Sequence, residues 1–165
     1  MDKLQVTEWR DEAGRLHSRW PGNRGYWQGM VPIEAEVPNR TMLLLGVCAN
    51  TVGRLAIEAF HDLQLTLVDI QANDGVPGLI VQDAQDFVAA CAGHFDFVAV
   101  DIFTDGGAIP EFVLSEPFVV KLAAIATTVC LNAIDDDLEI PAYLAAFADA
   151  RPTMYAGNQL WRLKH

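Results

Sequence analysis

The chain has 165 residues, 52% of them hydrophobic and 20% charged, enough for one domain with one sizeable core. Its 22 acids against 11 bases give a net charge of −11. That excludes nucleic-acid binding, which needs a basic face to displace counterions, and suits a cationic small molecule or plain solvation.

Residues 5–10 and 15–20 read as a hairpin closed by Asp11-Glu-Ala-Gly14. A loop at 21–25 leads to a helix over 26–37 that Pro32 kinks or starts and Pro38-Asn39 stops. Residues 1–40 therefore form an N-terminal hairpin with a connecting helix or loop, and 41–165 form the main domain. Met42-Leu-Leu-Leu45 is a short apolar strand closing on Gly46. Over 51–62, Val52, Leu55, Ala56, Ala59 and Phe60 recur at helical spacing. Leu65-Thr-Leu-Val68 is a strand ending at Asp69, and Leu79-Ile-Val81 is another ending near Asp83. A helix over 84–92 precedes a fourth strand at 95–101. Residues 111–123 read as largely helical, with Pro117 an awkward interior residue. The fifth strand is 126–131, and a helix over 137–150 has Pro141 in its first turn. Residues 153–155 and 159–163 make a final hairpin around Gly157-Asn158. Strands alternating with helices predict an α/β fold. Its sheet is mostly parallel with right-handed crossovers and an antiparallel C-terminal hairpin at one edge.

Three carboxylates, Asp69, Asp83 and Asp101, fall at or just beyond strand ends, where open α/β sheets bind ligands. Asp101 is followed by a glycine-rich loop carrying a second acid, Asp105, a pairing that suits a cationic ligand. Each acid also has a structural reading. Asp101 can cap its loop or the next helix, Asp69 can be a turn residue, and Asp83 can be the N-cap of the helix from Ala84.

Cys48, Cys91 and Cys130 lack metal-ligand spacing, and so do His17, His61, His94 and His165; no metal is expected. Buried structural thiols fit a reducing cytoplasm. Asp135-Asp-Asp137 with Glu139 reads as a charged helix start. The N-terminus lacks a signal-peptide pattern, and uncharged runs such as 122–134 are too short to span a bilayer, so a soluble cytoplasmic protein without a membrane partner is expected. Trp9, Trp20 and Trp27 crowd the N-terminal segment, and the apolar area they would expose predicts a homodimer contact.

The order of strand, Gly46-Val-Cys-Ala-Asn-Thr-Val-Gly53 turn, helix, strand and acid resembles the class I methyltransferase-like Rossmann fold. Within it, residues 41–163 are most similar to spermidine synthases, the polyamine aminopropyltransferases. The likeness runs through Asp69, Gln82-Asp83-Ala84, Phe95-Asp-Phe-Val-Ala-Val-Asp101 and the loop through Asp105-Gly-Gly to Ile109-Pro-Glu-Phe. It implies a cofactor, S-adenosylmethionine or its decarboxylated form, held at the turn with Gly46 and Asn50. Asp69 would hold the cofactor ribose and Asp83 the adenine amino group. Asp101 would position and deprotonate the attacking amine, with Asp105 as the loop's second acid, and Tyr26 and Gln28 would line the amine pocket. A non-catalytic homologue acting as a binding or assembly protein is the alternative. A nicotinamide-dependent enzyme fits less well, because the turn lacks the second glycine that admits a pyrophosphate.

The chain also departs from the family. The family's turn reads Gly-Gly-Gly-x-Gly, whereas here Val47 and Cys48 would crowd the cofactor's arm. Between Asp69 and Leu79 the family places a helix, and this chain has only a Pro- and Gly-broken stretch. The expected fold is thus shortened, with one sheet face bared.

Overall fold

The computed structural model describes residues 7–10, 14, 16–20, 25–133, 141–147, 151–155 and 158–164. A two-stranded antiparallel hairpin, β1 (Thr7–Arg10) and β2 (Leu16–Trp20), precedes a seven-stranded sheet. That sheet contains β3 (Thr41–Leu45), β4 (Gln64–Asp69), β5 (Ile80–Val81), β6 (Phe95–Val100), β7 (Ala126–Asn132), β8 (Arg151–Tyr155) and β9 (Asn158–Lys164). Its order is β5-β4-β3-β6-β7-β9-β8. Pairing is parallel from β5 through β7 and antiparallel where β9 joins β7 and β8 joins β9. The mixed sheet expected from the sequence is present.

Strand alternation sorts the core into two faces. Met42, Leu44, Phe97, Ala99 and Cys130 point one way; Leu43, Leu45, Val98, Val100, Val129 and Leu131 point the other. Both sets are buried, so the strands read as continuous apolar runs. Helix α1 (Thr51–Ala59) and the segment from Tyr26 to Val37 cover the first face. Helices α2 (Ala84–Ala90) and α3 (Glu116–Ile125) cover the second.

Proline chemistry explains the main departures from the predicted elements. Residues 26–37 form no single helix but two 3-10 turns, Tyr26–Met30 and Glu34–Glu36. Pro32 holds Val31 extended between them. The predicted helix over 111–123 is a 3-10 turn, Glu111–Leu114, followed by α3, whose first turn contains Pro117. Pro117 therefore starts that helix, where its missing N–H costs nothing. Helix α1 stops at Ala59, before the predicted end at 62, because Phe60 turns extended. Pro141 opens a 3-10 turn, Ala142–Ala146; Asp135–Asp137, Glu139 and the rest of 134–140 and 148–150 lie outside the described residues. So do the side chains of Trp9 and Trp20, while Trp27 is buried in the core.

The crossover from β4 to β5 contains no helix, as the sequence predicts, but it does not leave the face bare. Val76 turns in from the loop and joins the first core. Ile70, Ile80 and Val81 remain exposed beside it.

A buried charge cluster fixes the segment from Tyr26 to Val37 to the far side of the sheet. Glu36 is 4% exposed and pairs with Arg162 of β9, with Lys164 Nζ 3.4 Å away. Burial alone would raise the Glu36 pKa; the bond from Arg162 and the two cations outweigh it and hold the carboxyl below its usual range. Arg162 Nη2 also donates to the carbonyls of Gly29 (2.9 Å) and Val31 (3.0 Å). No helix among the described residues is long and apolar enough to cross a membrane.

Candidate functional site

The chain leaves β3 toward β4 on one side and returns to β6 on the other, so the topological switch point lies between β3 and β6. The loops after these strands meet there. Asp101 N donates to Leu45 O (2.8 Å) and Gly46 N to Val68 O (2.9 Å). Gly46 has φ +82°, and a Cβ on it would stand 2.2 Å from the carbonyl oxygen of Asp101. Glycine is required here by loop against loop, whatever the ligand.

A cavity of about 710 Å³ opens at this rim, within the range of small-molecule sites. Asp69, Asp83, Asp101 and Asp105 all line it, as does Gly46. Asp69 Oδ2 accepts from the amides of Val47 (2.7 Å) and Cys48 (3.1 Å), and its Oδ1 accepts from Gln71 N (3.0 Å). Asp83 Oδ1 accepts from Gln85 N (2.8 Å) and Asp86 N (3.3 Å), making it the N-cap of α2 while it still faces the cavity. Asp105 Oδ1 accepts from Gln71 Nε2 (3.3 Å).

Asp101 is different in kind. It is 6% exposed, and burial pushes its pKa up to about 7 despite bonds from Asn132 and Tyr26 that favour the charged form; the Asp69 charge pushes the same way as burial. Asn132 Nδ2 donates to Oδ1 (2.9 Å) and Tyr26 Oη to Oδ2 (3.1 Å). The Tyr26 hydroxyl is held well above its usual pKa by burial and by the neighbouring Asp101, so it stays a neutral donor.

Three of the predicted site residues do not line the cavity. Tyr26 is buried and reaches Asp101 but is not among the residues lining the cavity. Gln28, on the outer side of its 3-10 turn, is exposed and away from the lining. Asn50 takes the left-handed conformation (φ 59°) that the turn into α1 requires. Its Oδ1 is buried without a hydrogen-bond partner, packed where a Cβ on Gly53 would come within 2.1 Å, and it does not line the cavity. Crowding by the turn is also less than expected: Val47 packs into the core and only Cys48 faces the cavity. Burial, then the charges of Asp101 and Asp69, raise the Cys48 thiol well above its usual pKa, so it is a neutral wall group, not a nucleophile.

Sequence reasoning missed Asn132, Arg10 and the apolar wall that includes Ile70, Phe103 and Phe112. Asn132 had a signal. It shares the parity of Cys130 on β7 and follows Leu131, the register partner of Val100, so alternation places it beside Asp101. Among the described residues, no three His, Cys, Asp or Glu side chains group as metal ligands.

No protein-family model matches the sequence, and no curated protein is similar to it. Solved structures are similar. Human methyltransferase-like protein 13, in complex with SAH (S-adenosylhomocysteine), superposes with TM-score 0.63 at 16% identity, over 75% of this chain and 71% of that one. PigF with SAH gives 0.58 at 12% identity, over 86% of this chain and 54% of PigF. A protein described as a ribosomal RNA methyltransferase, from Plasmodium falciparum, gives 0.52 at 11%, over 77% and 86%. The chain has the class I methyltransferase fold. Within that fold, this chain's β4–β5 crossover carries no helix, and a two-stranded hairpin precedes the sheet.

Proposed function

We propose that this chain binds a nucleoside of the S-adenosylmethionine type and transfers a group from it to an amine. The observation that carries this reading is the convergence of Asp69, Asp83 and Asp101 on one cavity at the switch point. Two SAH complexes among proteins of the same fold support the ligand class. The donor set fits. A carboxylate has about four acceptor positions, and Asp69 uses three on its own loops, leaving one for a ribose hydroxyl. Asp83 would accept from the adenine amino group, and Ile70 and Phe103 give the ring apolar walls. When bound, the nucleoside supplies an electrophilic carbon beside a sulfonium.

The chain's own chemistry centres on Asp101. An ammonium group cannot attack until it loses a proton, and a buried carboxyl with pKa about 7 is matched to that transfer near neutral pH. Tyr26 and Asn132 hold the carboxyl in one orientation and favour its charged form. Aminopropyl transfer, as in the spermidine synthases the sequence resembles, uses the decarboxylated donor; methyl transfer uses S-adenosylmethionine itself. One observation favours a non-catalytic binding or assembly protein: the turn amides of Val47 and Cys48 are already satisfied by Asp69.

Calorimetry with S-adenosylmethionine, its decarboxylated form, SAH and 5′-methylthioadenosine tests the reading. At least one should bind, and Asp69→Ala should abolish it. Asp101→Asn should keep binding while turnover with a diamine acceptor falls about 10²- to 10⁴-fold. Failure of all four nucleosides to bind at millimolar concentration would end the proposal; binding without turnover would favour the non-catalytic protein.

A further inference from the structure

The cavity's charges are lopsided. Four aspartates line it, and among the described lining residues only one is basic, Arg10. It comes from β1 of the N-terminal hairpin, far from the switch point in sequence. From these features we infer that Arg10 recognises the carboxylate of a ligand carrying an amino-acid arm, which makes S-adenosylmethionine and SAH the preferred nucleosides over their decarboxylated or truncated forms. This rests on the nucleoside reading of the same cavity.

The inference turns on where a carboxylate could go. Backbone amides in a tight strand-to-helix turn are the usual resource for an anion. Here the amides of Val47 and Cys48 both point to Asp69 Oδ2, at 2.7 and 3.1 Å. The turn therefore presents a carboxylate where it would otherwise present donors. A ligand carboxylate near Asp69, Asp101 and Asp105 would meet repulsion from three directions. Arg10 is the remaining counter-charge among the described lining residues.

Arg10 is also positioned for the role. Its Nε donates to Glu8 Oε2 (2.9 Å) and its Nη1 to Gly14 O (2.8 Å). Two of five N–H groups are thereby used to orient the planar head, and three are left, including both on Nη2. Glu8 does not belong to Arg10 alone, since Arg19 Nε lies 3.7 Å from its other oxygen. The hairpin itself is anchored. Thr51, the first residue of α1, accepts from Arg19 N (3.2 Å) and donates to Arg19 O (2.6 Å), so one hydroxyl acts on the edge of β2 as a neighbouring strand would. Leu16 packs against the first core beneath it. A guanidinium fork held this way suits bidentate recognition of a carboxylate, which a lysine would meet only as a point charge.

The test is calorimetry on the full chain with SAH and with 5′-methylthioadenosine, which shares the nucleoside and thioether but has no carboxylate. Wild type should bind SAH at least tenfold more tightly. Arg10→Gln should lower SAH affinity about tenfold or more and leave 5′-methylthioadenosine unchanged; Arg10→Lys should recover part of the loss for SAH alone. Arg10 is exposed, so folding of these variants is not at issue. If 5′-methylthioadenosine binds wild type as tightly as SAH, or if Arg10→Gln weakens both ligands equally, the assignment to Arg10 is wrong while the nucleoside site stands. If neither ligand binds wild type, the assignment to Arg10 is wrong, and the nucleoside reading falls with it only if S-adenosylmethionine and its decarboxylated form also fail to bind.

Discussion

Two aspartates flank the body of β6, Asp96 near its start and Asp101 just past its end, about 16 Å apart along the strand, and the two are built for opposite purposes. Asp96, the second residue of the strand, is 2% exposed and accepts three hydrogen bonds: from Asn39 N (2.7 Å), Asn39 Nδ2 (2.8 Å) and Thr41 N (3.3 Å). Asp96 N in turn donates to Thr41 Oγ1 (2.9 Å). This reciprocal pair ties the entrance of β3 to that of β6. Asp101 follows the other end at 6% exposure, with two side-chain donors and a cavity in front of it. Burial is the same; what differs is how completely the protein satisfies the carboxylate. A fully served acid holds the fold together, and an underserved one beside open space is available for chemistry.

The largest effect expected from breaking this contrast is in the pH dependence of stability. The Asp101 pKa rises from 3.8 unfolded to about 7 folded, so the native state keeps a proton that the unfolded chain gives up. Its stability contribution is present in full below about pH 4 and is lost as pH rises to about 7. Three units correspond to roughly 4 kcal/mol. Asp101→Asn removes the titration. Relative to wild type, the variant should gain up to about 4 kcal/mol between pH 4 and pH 8, read by denaturant unfolding at each pH. Parallel stability profiles for the two proteins would show that Asp101 has the same pKa folded and unfolded, and so is not matched to taking a proton from an amine near neutral pH.

Asp96→Ala should act oppositely and somewhat less. It strands three donors, including two backbone amides, and should cost about 3 kcal/mol with little change in nucleoside binding. A loss of nucleoside affinity at unchanged stability would instead tie Asp96 to the site.

The two aspartates also mark what the sequence could tell. Their strand was legible from its run of Phe, Val and Ala, and the position of Asp101 at the carboxyl end singled it out. So did the alternation of apolar strands and amphipathic helices that predicts the sheet. What the sequence could not tell was the number of donors each acid meets, because those come from residues 39–41, Tyr26 and Asn132, brought close only by the fold. The same limit hid Arg10, which reaches the cavity through a hairpin docked on Thr51. Helix ends failed for a local reason. Periodicity carries through Pro32 and Pro117, whereas proline starts or interrupts a helix according to which N–H groups are needed.

Asn132 gives the finest test of the contrast, because it changes the service to Asp101 by one bond. Its Nδ2 donates to the carboxylate at 2.9 Å inside the core, and such a bond stabilises the charged form. Asn132→Leu fills nearly the same volume and removes the donor, while the Tyr26 hydroxyl still reaches Oδ2 at 3.1 Å. The Asp101 pKa should then climb further, by about one unit, or roughly 1.4 kcal/mol of lost preference for the carboxylate. The pH at which stability stops falling should move upward by the same amount, and half-maximal turnover with an amine should follow it. A downward move, or none, would mean that Asn132 fixes only the geometry of the rim, leaving burial and Tyr26 to set the charge of Asp101.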